Sequence, residues 1–228
     1  MDSLALLRLL RLASPALPIG GFAYSQGLEW AVEAGWVRDA ATFASWLSGV
    51  FEANMASLDL PALARMHAAW AAGDADAALE TSRELLAWRD NAEARAEDRQ
   101  LGGSLARILA AETDTPLARS AARLLAEGGD ATYACAFALA GAGWGATARE
   151  ALLAFGWVLT EEQTMAAVKL VPLGQTAGQR ILAAMTERVA AAVQAALAGV
   201  DAPFFANAPG RALAQLRHAG QRVRLFRS

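Results

Sequence analysis

Few side chains in this 228-residue chain could carry out chemistry, and their spacing argues against most of it. Glycine-rich turns can cradle phosphate, and the chain has two. Gly20-Gly21-Phe22-Ala23-Tyr24-Ser25-Gln26-Gly27 lacks the closing Gly-Lys-[Ser/Thr] that holds phosphates and magnesium. Nor is it G-x-G-x-x-G between a strand and a helix. Pro172-Leu173-Gly174-Gln175-Thr176-Ala177-Gly178-Gln179-Arg180 has no lysine in position either. After the bend at Pro172, Gly174 and Gly178 are expected to let helices approach closely. Gln175, Gln179 and Arg180 place polar groups at helical spacing in an apolar neighbourhood, where they need partners. Ser25 is not in a nucleophile elbow, and neither His67 nor His218 lies in a catalytic motif. Cys135, the only cysteine, sits among Ala and Phe, which reads as a buried inert thiol and leaves no internal disulfide. No H-E-x-x-H, C-x-x-C or spaced carboxylate cluster suits a metal. Glu161 and Glu162 diverge on a helix and read as a solvated stretch. The residues therefore predict no enzyme, no metal and no cofactor.

Three charged features remain. Lys169 is the only lysine beside nineteen arginines, and it reads either as a snorkelling side chain or as a partner contact. Arg83 to Arg99 is dense in both signs, with Trp88 the one large apolar residue between Leu86 and Leu101. A solvent face is expected there, with Arg89 and Glu93 paired at i,i+4, or else a polar protein interface. After Asp201 there is no acid, while Arg211, Arg217, Arg222, Arg224 and Arg227 accumulate, interleaved with Val223, Leu225 and Phe226. Residues 220–228 thus read as a tail that orders on a protein partner, with nucleic acid as the alternative. The net charge of −3 gives no overall nucleic-acid signature.

The elements that must position these residues are helical. Hydrophobic residues are 55% of the chain and charged residues 19%, which excludes global disorder. Abundant Ala with sparse Val, Ile and Thr favours helix over sheet. From the cap at Asp39, Phe43, Trp46, Leu47, Val50, Phe51, Met55 and Leu58 recur at three- and four-residue steps. Pro61 should kink or end that helix. Asp74, Thr115-Pro116 and Thr147-Ala148-Arg149-Glu150 read as further helix starts, with Gly73, Gly128-Gly129 and Gly199 as stops. Ile181, Met185, Val189, Val193 and Leu197 form a stripe. The uncharged run between Asp130 and Arg149 is Ala- and Gly-rich and broken by Gly141 to Gly145, so a buried helix is expected rather than a membrane span. The acid at Asp2 and the interruptions at Arg8 and Arg11 argue against a signal peptide and for an amphipathic first helix. The expectation is one all-α domain over 1–228, a bundle of about nine or ten helices.

Three blocks in order resemble the UreF family of urease accessory proteins. They are Leu9 to Glu29, with Pro15, Pro18, Gly20, Gly21, Tyr24, Ser25 and Gly27; Val168 to Arg180, with Pro172, Gly174 and Gly178; and the ending Arg224-Leu225-Phe226-Arg227-Ser228. The middle, with Glu93, Arg95, Gly102 and Ser104-Leu105, extends the likeness over essentially the whole chain. One departure is Ala219 after His218, where the family often has an acid. The resemblance implies a cytoplasmic, non-enzymatic, all-helical homodimer that joins UreD (UreH in some organisms) and the GTPase UreG to mature apo-urease by GTP-dependent nickel insertion. It further implies that Lys169, Gln175, Gln179 and Arg180 form a UreG-facing or structural patch. Arg222, Arg224, Leu225, Phe226 and Arg227 would dock on UreD.

Overall fold

A computed structural model describes residues 3–112, 115–126 and 130–228. Among them there is no strand. The helices are α1 (Ser3–Leu12), α2 (Leu28–Glu33), α3 (Ala40–Val50), α4 (Leu60–Ala71), α5 (Ala75–Ala87), α6 (Ala92–Ala110), α7 (Pro116–Ala126), α8 (Tyr133–Gly143), α9 (Ala148–Leu170), α10 (Gln175–Ala198) and α11 (Pro209–His218). Phe51–Asp59 winds as a π-helix that joins α3 to α4 without a break. Counting that run as one, the described residues form ten helices, and the fold is all-α as the periodicity predicts.

The starts follow from short polar side chains that satisfy free N–H groups. Asp39 and Thr42 form a reciprocal capping box on α3, and Thr147 and Glu150 form another on α9. Asp74 accepts from Ala77 N, and Thr115 from Ala118 N. The expected stop at Gly128-Gly129 lies outside the described residues. The uncharged run becomes α8, buried along nearly its whole length and packed on α4, α6, α7 and α9. Its alanines let neighbours come close. A Cβ on Gly102 of α6 would fall 2.1 Å from Ala131 O, so backbone meets backbone at this crossing. Tyr133, Phe137 and Phe155 then lock α8 to α9, with the two phenylalanine rings 5.1 Å apart.

Pro61 neither ends nor breaks its helix. Proline lacks the N–H that Ser57 O would receive and crowds that carbonyl. The π-wound turns before it absorb the misfit, and Phe205 N donates to Ser57 O (3.1 Å) and Asn207 N to Ala53 O (2.9 Å). The loop after α10 thereby supplies donors that the helix cannot. Helix α10 is long and apolar enough, by length and composition alone, to cross a membrane. It packs along α9 and α4, burying Leu182, Met185, Val189 and Val193. Its outer side carries Gln179, Arg180, Glu187 and Arg188. Helix α1 buries Ala5, Leu9 and Leu12 while Leu4, Leu7 and Leu10 face outward, so it is apolar on both sides.

Two sequence expectations about charge are corrected. Arg83–Arg99 is a solvent face only in part: Arg83, Glu84, Asp90 and Arg99 are exposed, whereas Glu97 and Asp98 are buried. Arg89, its side chain 10% exposed, lies between Asp59 (2.5 Å) and Asp98 (2.7 Å), and it does not pair with Glu93. Asp59 reaches it from the end of the π-wound segment, Asn54 donates to the other Asp59 oxygen, and Asp98 also accepts from Tyr133 N. Burial alone would drive the Arg89 guanidinium towards its neutral form; the two carboxylates override it and raise its pKa. Glu162 is not solvated either. It is buried with its carboxyl against Gly21, and burial first, then Glu97 and Glu161, push its pKa up to about 8.

Candidate partner-docking face

The three blocks that carry the family resemblance meet at one place in the fold. The first block turns sharply. Gly20 and Gly27 adopt φ of +87° and +88°, a region that L side chains avoid, and Gln26 at +55° follows the same path. A Cβ on Gly21 would lie 1.9 Å from Glu162 Oε1, and one on Gly27 would lie 2.9 Å from Gln215 N of α11. Pro15 and Pro18 stand exposed on the turn, while Tyr24 and Ser25 are buried. These residues form a socket.

The final residues occupy that socket. The main-chain oxygen of Ser228 accepts from Ser25 N (2.7 Å), Gln26 N (2.9 Å) and Ser25 Oγ (2.6 Å). Ser228 Oγ donates to Glu97 Oε2 and Gln26 Nε2 to Glu97 Oε1, each at 2.7 Å. Gln163 of α9 donates to Ser25 O. Even with two donors, Glu97 is held above the usual carboxylate range, because burial outweighs them. Arg211 of α11 lies buried nearby, and burial lowers its pKa. Arg227 N donates to Ala23 O. Glu29 of α2 accepts from Leu225 N (2.6 Å), Phe226 N (3.0 Å) and His218 Nε2 (3.0 Å). Burial works against the ionised Glu29, but these donors prevail and lower its pKa.

Residues 220–228 are thus folded back onto the helices. Phe226 turns inward, 5% exposed, with Lys169 Nζ 5.6 Å from its ring centroid. Lys169 therefore has a cation–π partner in its own chain. Arg224 pairs with Glu93 of α6 at 3.0 Å. Outward-facing residues are Leu216 (57% exposed), Val223 (86%) and Leu225 (65%), together with Arg217, Arg222 and Arg227. A groove of about 620 Å³ between Trp30, Glu33, Leu216, Arg217, Arg222 and Val223 adjoins them.

Gln175, Gln179 and Arg180 project into solvent from the first turns of α10, and their side chains make no hydrogen bond or ion pair among the described residues. Of the two glycines near them, Gly178 does permit close approach: a Cβ there would sit 3.3 Å from Val168 Cγ2. Gly174 instead stands in open space as the N-cap of α10. Cys135 is fully buried, and burial pushes its thiol up to about 12, which keeps it protonated. No group of three or more His, Cys, Asp or Glu among the described residues could hold a metal ion.

Sequence reasoning missed Glu29, Glu93, Glu97 and His218 as the groups that fasten the final segment. Ala219 leaves no acid beside His218 in the chain; the acids arrive from α2 and α6 instead. A sequence signal existed only for the separate Arg89 cluster, where polar Asn54 and Asp59 interrupt the apolar stripe that begins at Phe43.

The protein is thus an all-helical bundle whose final segment is socketed and whose outer face there is mixed cationic and apolar. Residues 37–186 match the family model for UreF. The chain is 46% identical over 226 residues to the urease accessory protein UreF of Azoarcus sp. (strain BH72), covering 99% of this chain and 96% of that one. It is equally identical over 229 residues to the protein of that name from Pseudomonas putida, covering 100% and 99%. The counterpart in Alkalilimnicola ehrlichii is 46% identical over 225 residues, covering 99% and 96%. The chain belongs to the UreF family of urease accessory proteins and takes part in urease maturation with other components of that process.

Proposed function

We propose that this protein is a non-catalytic scaffold of urease maturation, acting in the cytoplasm as a homodimer. In this reading it recruits the GTPase UreG to UreD (UreH) and regulates GTP-dependent insertion of nickel into apo-urease. Nickel is cargo in that process. The supporting observation is the outer face of the final segment, where Leu216, Val223 and Leu225 stand exposed among Arg217, Arg222 and Arg227. Apolar anchors ringed by arginine suit a protein interface, whereas a phosphate-tracking surface needs a longer run of cations. UreD is assigned to this face, and UreG to the exposed Lys169, Gln175, Gln179 and Arg180.

Deleting the segment is a poor test, because Phe226 and Ser228 are part of the packed interior. The double variant Val223→Asp with Leu225→Asp instead alters exposed side chains alone. In co-purification with UreD and UreG it is expected to lose UreD while keeping its helical content and urea midpoint. Undiminished UreD capture would refute the assignment. Lys169→Glu with Arg180→Glu is the matching pair for UreG.

A further inference from the structure

Arg211, in the third position of α11, is 6% exposed and makes no hydrogen bond or ion pair among the described residues. Its Nε is sealed from solvent without a partner. The acids around it are already engaged, one donor to each carboxylate oxygen. Asp59 accepts from Arg89 and Asn54, Asp98 from Arg89 and Tyr133 N, and Glu97 from Gln26 and Ser228. Arg89 also opposes the charge of Arg211. A guanidinium has five donors, and burying it with no acceptor in reach is strongly unfavourable.

The backbone beside it lacks acceptors too. Ala208 caps α11 without a side-chain hydrogen bond, and Pro209 has no N–H. Ala212 N is the first to reach a carbonyl, that of Ala208, which leaves the N–H groups of Gly210 and Arg211 for another acceptor. Both residues line a groove of about 390 Å³ between α3 and the start of α11. Trp36 and Trp46, with ring centroids 6.4 Å apart, wall it together with Val50 and Ala53. Arg211 is the only charged residue among those lining it. A Cβ on Gly210 would stand in open space, so the groove is clear at that point. Arg211 also lines a cavity of about 30 Å³ shared with Asp59 and Glu97, whose carboxylates repel a further anion. An anion therefore belongs on the groove side.

We propose that this groove is a binding site for a small oxyanion, a carboxylate or a phosphate monoester, carried on an aromatic or apolar body. The anionic group takes the N–H groups of Gly210 and Arg211 at the positive end of α11 and gives the guanidinium its missing counter-charge. The body lies against Trp36 and Trp46, in a groove within the range of about 300–1,000 Å³ usual for small-molecule sites. None of the lining residues belongs to the faces assigned to UreD or UreG, so the site stands or falls independently of those assignments.

The test is titration of the full ¹⁵N-labelled chain with benzoate and with phenyl phosphate, using benzamide as the uncharged control. Amide resonances of Gly210 and Arg211 and the indole resonances of Trp36 and Trp46 are expected to shift together and to saturate. Benzamide should bind at least about tenfold more weakly, since it lacks the charge-assisted hydrogen bonds. The tighter of the two anions identifies the anionic group. Trp36→Ala alters an exposed side chain and should weaken both anions, while Gly210→Asp puts a negative charge at the groove and should abolish their binding. Arg211→Gln should do the same. Where Arg211→Gln loses helical content, the other two variants decide: unchanged affinity in both overturns the proposal. Benzamide binding as tightly as benzoate, or no saturable shift at Gly210 and Arg211 by about 10 mM anion, also overturns it.

Discussion

Arg89 is where charge and burial are balanced most tightly. Its guanidinium answers two carboxylates from separate helical segments, Asp59 and Asp98, inside the bundle. Removing one member of such a group leaves buried charge uncompensated. Arg89→Met is expected to cost about 3–5 kcal/mol, read as a fall in stability by urea denaturation. Glu162 behaves differently, because its pKa near 8 in the folded chain lies above its unfolded value of 4.5. Between those values the folded state binds the extra proton, so stability declines as pH rises across the interval. Glu162→Gln keeps the shape and removes the titration. Its stability curve should be flatter over that interval and should lie above that of the unaltered protein in alkaline solution. Melting temperatures recorded across pH check both statements. Neither residue could be read correctly from sequence, since an isolated charge carries no mark of the partner that will bury it.

At the scale of elements, the helix starts were legible and the helix environments less so. The box at Thr147 and Glu150 needs only local spacing, and it forms in the structure as the spacing predicts. Thr147→Ala frees one N–H at the start of α9 and is expected to cost about 1 kcal/mol in urea denaturation. Helix α9 carries Gln163 to Ser25 and presents Lys169 to Phe226, so its first turn supports the socket from a distance. Pro61 shows the limit of local rules. The prohibition on proline inside a helix is lifted by a π-wound turn and by donors at Phe205 and Asn207, more than a hundred residues later. Gly174 and Gly178 show a similar division, one an N-cap and the other a point of close approach, although their sequence context is nearly the same.

Across the whole molecule, one continuous apolar core runs from Leu9 to Phe226 and ties both ends of the chain together. Deleting residues 217–228 is accordingly expected to lower the urea midpoint as well as to abolish UreD capture, whereas the Val223→Asp, Leu225→Asp pair should lower capture alone. Reactive groups are few in this chain, and that scarcity was legible because motifs depend on spacing. Amino-acid order by itself determined the helical class, most caps, the inert Cys135 and the family likeness, all of which rest on local periodicity and short patterns. Tertiary structure alone decided that Arg89, Glu97 and Asp98 turn inward from the charged stretch Arg83 to Arg99 and that the acids facing His218 are Glu29 and Glu93. It also decided that the first family block forms a socket for the third, with Lys169 of the second against Phe226. Those outcomes depend on which helices pack together, and a buried ion or hydrogen bond becomes favourable only when a distant segment brings its partner within about 3 Å.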